Sequence, residues 1–270
     1  MGIFSGILLV SDVDGTLLTY DGKIPARNVE MIEYFIREGG LFTVATGRGV
    51  VSARRYLERI VHNCAPIVFN GSAIYDDQAE RFLWQQPLPE SAREVVAYIV
   101  DNHPNMGIQI YSEMDMFVLR DSEINQYMVT YEHIPYTMER LEDIRDRHWN
   151  KVLCLSEVEE VEQLIESLKR FDLPDTYFVR TQERYYEILA VGADKGNALR
   201  HLAELNGIGI DQTYAIGDYY NDVQLVDAAG YSAYTAGAPE ELKAGADYIA
   251  APCEAGAVAD FIAHIQTHLQ

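Results

Sequence analysis

Basic residues are scarce in this chain, which has 21 Lys and Arg against 42 Asp and Glu and a formal net charge of −21. A protein this acidic repels DNA, RNA and anionic lipid, so we expect neither a nucleic-acid nor a membrane partner. Most of the acidic excess is explained as the solvated surface of a soluble protein. The charge therefore excludes classes of partner but does not by itself indicate a function.

Cysteine is also rare, and Cys64, Cys154 and Cys253 are far apart and odd in number. The absence of a CxxC pair argues against a disulfide framework or a zinc site and predicts three small core residues. No apolar run approaches the length of a membrane span. The N-terminal apolar stretch has no basic segment before it and is interrupted at Asp12, so we expect no signal peptide and a cytoplasmic protein.

The chain does have enough apolar residues, 48% of 270, for one large core or two smaller ones. Apolar strands and amphipathic helices alternate at the start of the sequence and again from Lys195 onward. Strands that are apolar throughout and separated by helices predict a parallel sheet covered on both faces. The predicted strands are 7–11, 41–45, 66–69 and 213–216, and the helices are 25–38, one marked by Val50, Ala53, Leu57 and Ile60, 196–206 and 221–229.

The middle of the chain has a different pattern, in which strands follow one another without intervening helices. This pattern predicts an α+β insert with an antiparallel sheet. We therefore predict an α/β fold, with a Rossmann-like parallel core formed by 1–82 and 186–270 and an inserted domain at 83–185. Within the middle region we predict a hairpin at 73–84, strands at 107–111, 116–120, 149–156, 176–180 and 184–189, and helices near 89–102, 121–132 and 156–171.

Two carboxylates, Asp12 and Asp14, follow the predicted strand 7–11 and its apolar run Ile7–Val10. Side chains at i and i+2 of a strand point the same way, and two anions repel unless a cation or a shared proton separates them. Polar residues also follow the other core strands, and the ligand crevice of an open α/β sheet lies at those carboxyl ends. The residues expected to converge there are Asp12, Asp14, Thr46, Gly47, Arg48, Asn70 and Asp218.

The carboxylates of Asp12, Asp14 and Asp218 are hard oxygen ligands that suit Mg²⁺. A magnesium ion would hold the paired carboxylates together and keep Asp12 ionised. An ionised carboxylate can attack phosphorus and form an aspartyl-phosphate. Asp14, close to this nucleophile, could protonate the leaving oxygen and then deprotonate the attacking water.

A phosphoryl group adds negative charge to an acidic pocket and needs a further cation. Lys195 starts a predicted helix, where the macrodipole disfavours a cation, so a phosphate partner would explain it. Thr46 and the Gly47 amide can donate hydrogen bonds to a phosphate oxygen. Arg48 could bind substrate or bridge to the insert, and both options stay open.

Each feature also has a structural explanation. Asp14-Gly15-Thr16 can be an ordinary turn, and Lys195 can be a solvated helix residue paired with Asp194. Asp218 and Asp222 can favour a helix N-terminus. The functional interpretation depends on all of these features occurring in order, each at a strand end or helix start.

On these residues the sequence resembles the haloacid dehalogenase (HAD) superfamily phosphatases of the Cof type, with a type IIB (C2B) cap. The resemblance covers nearly the whole chain. The family's motifs are matched by Asp12–Thr16 for DxDGT, by Thr46, by Lys195, and by Gly217–Asp222 for GDxxND. Tyr219 and Tyr220 are bulkier than the residues the family often has there, and Ala236-Gly237-Ala238 stands where it usually has Gly-Asn-Ala.

The resemblance implies a Mg²⁺-dependent phosphohydrolase that cleaves a small phosphorylated metabolite through an aspartyl-phosphate, with the insert as a cap that selects substrate. It makes Asp12 the nucleophile and a metal ligand, and Asp14 the acid/base and a metal ligand through its backbone carbonyl. Asp218 would bind the metal, Asp222 would support the metal shell, and Asn221 would contact the phosphate region. The oligomeric state is open between monomer and homodimer.

Three other functions are considered. A sugar phosphomutase would need cap cations for a second phosphate, for which Arg120, Lys151 and Arg180 are available. A phospho-accepting signalling receiver pairs similar residues but is far shorter and has no insert. A dinucleotide oxidoreductase is suggested by Gly47–Ser52, which nearly fits GxGxxG, but the next strand ends in Asn70 rather than an acid.

Overall fold

The structure is a computed structural model and describes residues 2–132 and 134–269. The chain forms two compact units. The first contains the residues up to Arg48, Ala53–Trp84 and the residues from Asp194 onward, and the second contains Gly49–Ser52 and Gln85–Ala193. The main divisions follow Trp84 and Ala193, each later in the chain than the predicted limits after residues 82 and 185.

The strands and helices of the described residues are as follows, in chain order. The strands are β1 (Leu8–Asp12), β2 (Leu41–Ala45), β3 (Ile67–Val68), β4 (Ala73–Asp76), β5 (Arg81–Gln85), β6 (Gly107–Ser112), β7 (Asp115–Arg120), β8 (Thr137–Met138), β9 (Lys151–Leu155), β10 (Thr176–Gln182), β11 (Tyr185–Ala190), β12 (Thr213–Gly217), β13 (Tyr231–Thr235) and β14 (Tyr248–Ala250). The α-helices are α1 (Ala26–Arg37), α2 (Val50–Leu57), α3 (Ser91–Asn102), α4 (Glu123–Glu132), α5 (Leu141–Ile144), α6 (Val158–Leu168), α7 (Lys195–Leu205), α8 (Val223–Ala228), α9 (Glu240–Lys243) and α10 (Ala257–His268).

The sheet of the first unit has the strand order β14-β13-β12-β1-β2-β3-β4-β5. Pairing is parallel from β14 through β3, and β4 then pairs antiparallel with β3. β1 is central and buried along its whole length, which explains why its sequence is apolar up to Ser11. Its last residue, Asp12, lies beside Ala45 of β2, so the carboxyl ends of the two strands are level.

Helices lie on both sides of this sheet, as the sequence predicts. On one face Leu8 and Val10 of β1 form a buried cluster with residues of α7 and α8, including Leu202 and Leu225. Because side chains alternate along a strand, Leu9 points to the opposite face. α1 and α10 contact each other. The predicted parallel α/β core is confirmed.

The second unit is an α+β structure with the strand order β10-β11-β9-β6-β7-β8. Its pairings are antiparallel except for the parallel pair of β7 and β8. Trp149 is fully buried at its core with Val95 and Leu164, and its indole N–H donates to the Ile144 carbonyl at 3.0 Å. The predicted antiparallel insert is confirmed, and β8 and α5 are additions to it. Within the described residues, no helix combines the length and apolar character needed to cross a membrane.

Candidate active site

The first unit brings the predicted acidic residues together at the carboxyl edge of its sheet. Asp12 ends β1 and is 5% exposed, and Asp218 directly follows β12, which pairs with β1. Carboxylate oxygens of Asp12, Asp218 and Asp222 all lie within 4.8 Å of one another. Because β1 and β12 are neighbouring parallel strands, the residues at their carboxyl ends lie close together although they are distant in sequence.

Lys195 is the positive charge of this cluster. It is the first residue of α7, it is fully buried, and its Nζ lies 2.5 Å from Asp12 Oδ1 and 2.6 Å from Asp222 Oδ1. The interpretation of Lys195 as a solvated residue paired with Asp194 is therefore wrong. The carboxylate of Asp194 instead accepts from the Asn197 amide at 2.8 Å and caps the helix, because the first amides of a helix need an acceptor.

Close backbone approach fixes the position of Lys195. Gly71 has a φ of +99°, and a Cβ at this position would stand 2.1 Å from the Asp194 carbonyl carbon and 2.4 Å from the Lys195 nitrogen. A side chain at Gly71 would therefore push the start of α7 away. Glycine at position 71 lets the turn after β3 touch the residue that carries the cation.

Asp222 holds the turn that carries Asp218. Its Oδ2 accepts from the amides of Asp218 at 3.0 Å and Tyr219 at 3.3 Å, while its Oδ1 faces Lys195. Gly217 lies so close that a Cβ there would stand 2.4 Å from the Asp222 Cβ. With both oxygens engaged, Asp222 is better placed to orient Lys195 and Asp218 than to act as a principal metal ligand.

Asp14 is not one of the three clustered carboxylates and forms an ion pair with Arg48. Arg48 Nε donates to Asp14 Oδ2 at 3.1 Å and Nη2 donates to Oδ1 at 2.9 Å. The Arg48 guanidinium also lies over the ring of Tyr56, 4.2 Å from its centroid. Neither of the two roles considered for Arg48 included this pairing.

Thr46 and Asn221 lie at the same edge, connected through Asn70. Thr46 is 3% exposed, and its hydroxyl accepts from the Arg48 amide at 3.2 Å. The Thr46 carbonyl accepts from the Asn70 amide at 2.9 Å, and Asn70 Oδ1 lies 3.5 Å from Asn221 Nδ2. A Cβ on Gly47 would stand 3.9 Å from the Asn70 side chain. The loops after β2, β3 and β12 thus meet at Asn70.

The site contains residues that the sequence reasoning gave no role. Asn70 is expected at the crevice from the sequence but without a role of its own, and its left-handed backbone, with φ of 60° and ψ of 26°, is typical of an Asn before Gly. Thr16 Oγ1 donates to Asp218 Oδ1 at 3.3 Å, a contact its place in Asp-Gly-Thr could have suggested. Cys253 is buried, as the sequence predicts. Burial, with smaller effects of the negative charges of Glu254, Asp218 and Asp12, raises the pKa of its thiol to about 12.

The charges of this cluster are unbalanced, since three buried carboxylates face one lysine. Burial and the negative charge of Asp222 raise the pKa of Asp218 to about 7. Burial and Asp222 likewise raise the pKa of Asp12 well above its ordinary value, against the opposing effect of Lys195. Burial alone would lower the pKa of Lys195, but Asp12 and Asp222 raise it above its ordinary value.

A divalent cation would remove this imbalance. Oxygen donors of the carboxylate type suit Mg²⁺, and the two carboxylates with raised pKa values are those expected to bind it. The donor set therefore fits the metal that the sequence predicts.

Comparison with known proteins agrees with this geometry. The sequence profile of the family described as haloacid dehalogenase-like hydrolase matches residues 9–262. The chain belongs to this family. The profile extends from β1 into α10 and so includes every residue of the candidate site.

Two relatives of this HAD hydrolase are phosphatases by name. This chain is 26% identical to the 5-amino-6-(5-phospho-D-ribitylamino)uracil phosphatase YwtE of Bacillus subtilis, over 93% of this chain and 95% of that protein. It is 24% identical to the HMP-PP phosphatase of Serratia proteamaculans, over 95% of this chain and 94% of that protein. Its structure resembles that of the HAD subclass IIB sugar phosphatase BT4131, with a TM-score of 0.83, 20% identity and coverage of 96% and 98% of the two chains.

The family match confirms the predicted resemblance to HAD hydrolases of the Cof type. The comparisons also identify the chain as a phosphoric monoester hydrolase of the HAD superfamily. The roles of individual site residues remain predictions.

Proposed function

We propose that this HAD hydrolase is a Mg²⁺-dependent phosphatase that cleaves a small phosphorylated metabolite through an aspartyl-phosphate on Asp12. The observation that carries the proposal is the placement of Asp12. It is nearly buried at the end of β1, with Lys195 Nζ 2.5 Å from one oxygen and two further carboxylates within 4.8 Å. Such a carboxylate is held in one orientation and has a cation beside it to receive a phosphoryl group.

In the first step an Asp12 oxygen forms a bond to phosphorus as the bond from phosphorus to the leaving oxygen breaks. The electron pair of that bond stays with the leaving oxygen, which takes a proton from Asp14. In the second step Asp14 removes a proton from water, and the water oxygen displaces Asp12 from phosphorus. The enzyme is thereby returned with Asp14 protonated and inorganic phosphate as product.

The other residues bind and orient in this proposal. Asp12 and Asp218 would hold Mg²⁺, with the predicted Asp14 carbonyl, and the ion would neutralise the carboxylates and the phosphoryl oxygens. Lys195 places its charge beside Asp12, and Thr46, the Gly47 amide and Asn221 donate to phosphoryl oxygens. Asp222 orients Lys195 and the turn at Asp218.

We propose a small phosphorylated metabolite as substrate and the second unit as the cap that selects it. The support is family membership and the two relatives named as a 5-amino-6-(5-phospho-D-ribitylamino)uracil phosphatase and an HMP-PP phosphatase. The named substrates differ, so the identity of this chain's metabolite has to be measured.

The test is phosphate release from a panel of sugar phosphates, nucleotides, pyridoxal phosphate and flavin mononucleotide, with Mg²⁺ and with EDTA. We expect release that requires Mg²⁺ and is abolished in Asp12→Asn. Asp21→Asn is the matched control, because Asp21 is an exposed carboxylate paired with Lys23. An Asp12→Asn protein that still turns over would exclude the aspartyl-phosphate mechanism.

The phosphomutase alternative is weakened by the three cations considered for it. Lys151 Nζ lies 2.8 Å from Glu187 Oε1, and Arg180 Nη1 lies 2.5 Å from Glu162 Oε1. Arg120 donates to backbone carbonyls, including that of His103 at 2.7 Å. Each cation is bound by acceptors within the second unit, so a second phosphate would have to displace these contacts.

A further inference from the structure

A tight turn at residues 19–23 follows the DxDGT motif and carries Tyr20. The Thr19 amide donates to the Lys23 carbonyl at 2.9 Å, and the Gly22 amide donates to the Thr19 carbonyl at 2.8 Å. Gly22 has a φ of +75°, the left-handed conformation that glycine adopts without strain. The turn is therefore closed by its own backbone, which leaves the Tyr20 side chain out of the core.

The orientation of Tyr20 is the reverse of that of an ordinary surface tyrosine. Tyr20 is 81% exposed, yet its hydroxyl lies 3.2 Å from the point where a Cβ on Gly15 would stand. Asp218 Oδ2 lies 2.2 Å from the same point. A surface tyrosine usually buries its ring and leaves its hydroxyl in water, whereas Tyr20 exposes its ring and turns its hydroxyl toward the carboxylates.

The Tyr20 hydroxyl has no hydrogen-bond partner among residues 2–132 and 134–269. Burial and the negative charge of Asp218 raise its pKa, with smaller contributions from Cys253 and Asp12, so the hydroxyl keeps its proton at neutral pH. Water is open to the exposed ring, so exposure alone gives no reason for the hydroxyl to face inward. A protonated hydroxyl beside an anionic site is a hydrogen-bond donor in position for an anionic ligand.

We propose that the Tyr20 hydroxyl donates a hydrogen bond to the phosphoryl group of the substrate. This inference rests on the proposed function and adds a substrate-binding residue that none of the four motifs contains. Because all substrates and the product share the phosphoryl group, Tyr20 contributes to binding each of them equally. Its contribution is made in the ground state and the transition state alike, so it lowers KM and leaves kcat nearly unchanged.

The test compares Tyr20→Phe, which removes only the hydroxyl, with the wild-type chain and the control Tyr34→Phe. Tyr34 lies on α1 with its ring against Phe4, away from the acidic cluster. The probes are p-nitrophenyl phosphate as substrate and inorganic phosphate as inhibitor, both with Mg²⁺. We expect Tyr20→Phe to raise KM and the phosphate inhibition constant by about tenfold each, as for loss of one hydrogen bond to an anion.

Wild-type values for both constants in an active Tyr20→Phe protein would overturn the inference and leave the proposed function standing. A raised KM with an unchanged phosphate inhibition constant would also overturn it, since the hydroxyl would then contact the leaving group. A wild-type chain that neither releases phosphate nor binds it would overturn both proposals. Equal thermal unfolding of the two variants and the wild type confirms that the comparison concerns the site.

Discussion

Arg48 binds the carboxylate of Asp14 through two parallel hydrogen bonds, and Arg48 is the more enclosed partner. The Arg48 side chain is 14% exposed and that of Asp14 is 50% exposed. Stacking on Tyr56 fixes the guanidinium plane, and a bidentate contact fixes the carboxylate plane relative to it. Arg48 therefore sets the direction in which the proposed acid/base residue presents its proton.

We predict that Arg48→Gln impairs alkyl phosphates more than aryl phosphates. A misplaced Asp14 protonates an alkoxide leaving group poorly, whereas p-nitrophenolate leaves without a proton. We expect kcat/KM to fall about 100-fold for glycerol phosphate and less than about tenfold for p-nitrophenyl phosphate. Arg48→Lys keeps the charge without the bidentate contact and should fall between wild type and Arg48→Gln. Equal losses for both esters would instead indicate that Arg48 binds the phosphoryl group.

We predict that Lys195→Met destabilises the fold as well as abolishing turnover. The substitution leaves Asp12 and Asp222 buried without their cation, which costs about 3–5 kcal/mol of unfolding free energy. Urea unfolding at pH 7.5 in EDTA measures this. Lys23→Met is the control, because the Lys23–Asp21 pair is exposed to solvent and should contribute far less to the free energy of unfolding. Similar effects of the two substitutions would contradict the prediction.

We predict that stabilisation by Mg²⁺ increases with pH. The pKa of Asp218 is about 7 in the folded protein against an ordinary value of 3.8, so the folded metal-free protein binds more protons than the unfolded chain. The contribution of protonated Asp218 to the stability of the metal-free protein is therefore lost as pH rises from about 4 to about 7. In the same interval Asp218 ionises and the charges of the site become unbalanced.

The measurement is the difference in Tm between Mg²⁺ and EDTA, taken at pH 5.5 and at pH 8. The difference should be larger at pH 8, because protons no longer compete with the metal for the carboxylates. Asp218→Asn should reduce both the difference and its dependence on pH. A Tm difference that is the same at both pH values would contradict the assignment of Asp218 to the metal.

We predict that Gly71→Ala displaces Lys195. The added Cβ meets the backbone at Asp194 and Lys195, so the loss combines backbone strain with a shift of α7. Gly207→Ala is a matched control, since Gly207 also has a positive φ, +66°, but has open space around its Cβ. We expect Gly207→Ala to cost about 1–2 kcal/mol, and Gly71→Ala to cost more and to lower kcat. Unchanged kcat in Gly71→Ala would show that the contact does not position the cation.

The sequence predicted the elements with strong periodicity and the edge of the sheet where the site lies. β2 was placed at its observed limits, because an uninterrupted apolar strand before Thr46-Gly47-Arg48 has one simple interpretation. β8 and α5 have two and four residues, too few to show any period, and were missed. No element was predicted after residue 229, where the structure has β13, α9, β14 and α10.

Side-chain partners were harder to predict than positions. The residues next to Lys195 in sequence do not indicate that it forms ion pairs with Asp12 and Asp222 rather than with its neighbour Asp194. These pairs depend on the pairing of β1 with β12. The same holds for Arg48 and Asp14, which lie in different loops. The reversed orientation of Tyr20 is a property of a turn in space and has no signature in its sequence.

The central place of β1 has a consequence for synthesis on the ribosome. β1 and its neighbour β2 are made before the insert, but the other neighbour of β1, β12, emerges only after the whole insert has been translated. Until then one side of an apolar strand presents unpaired amides and carbonyls to other chains in the cell. Translation speed through the insert and shielding by chaperones should therefore govern the yield of native protein.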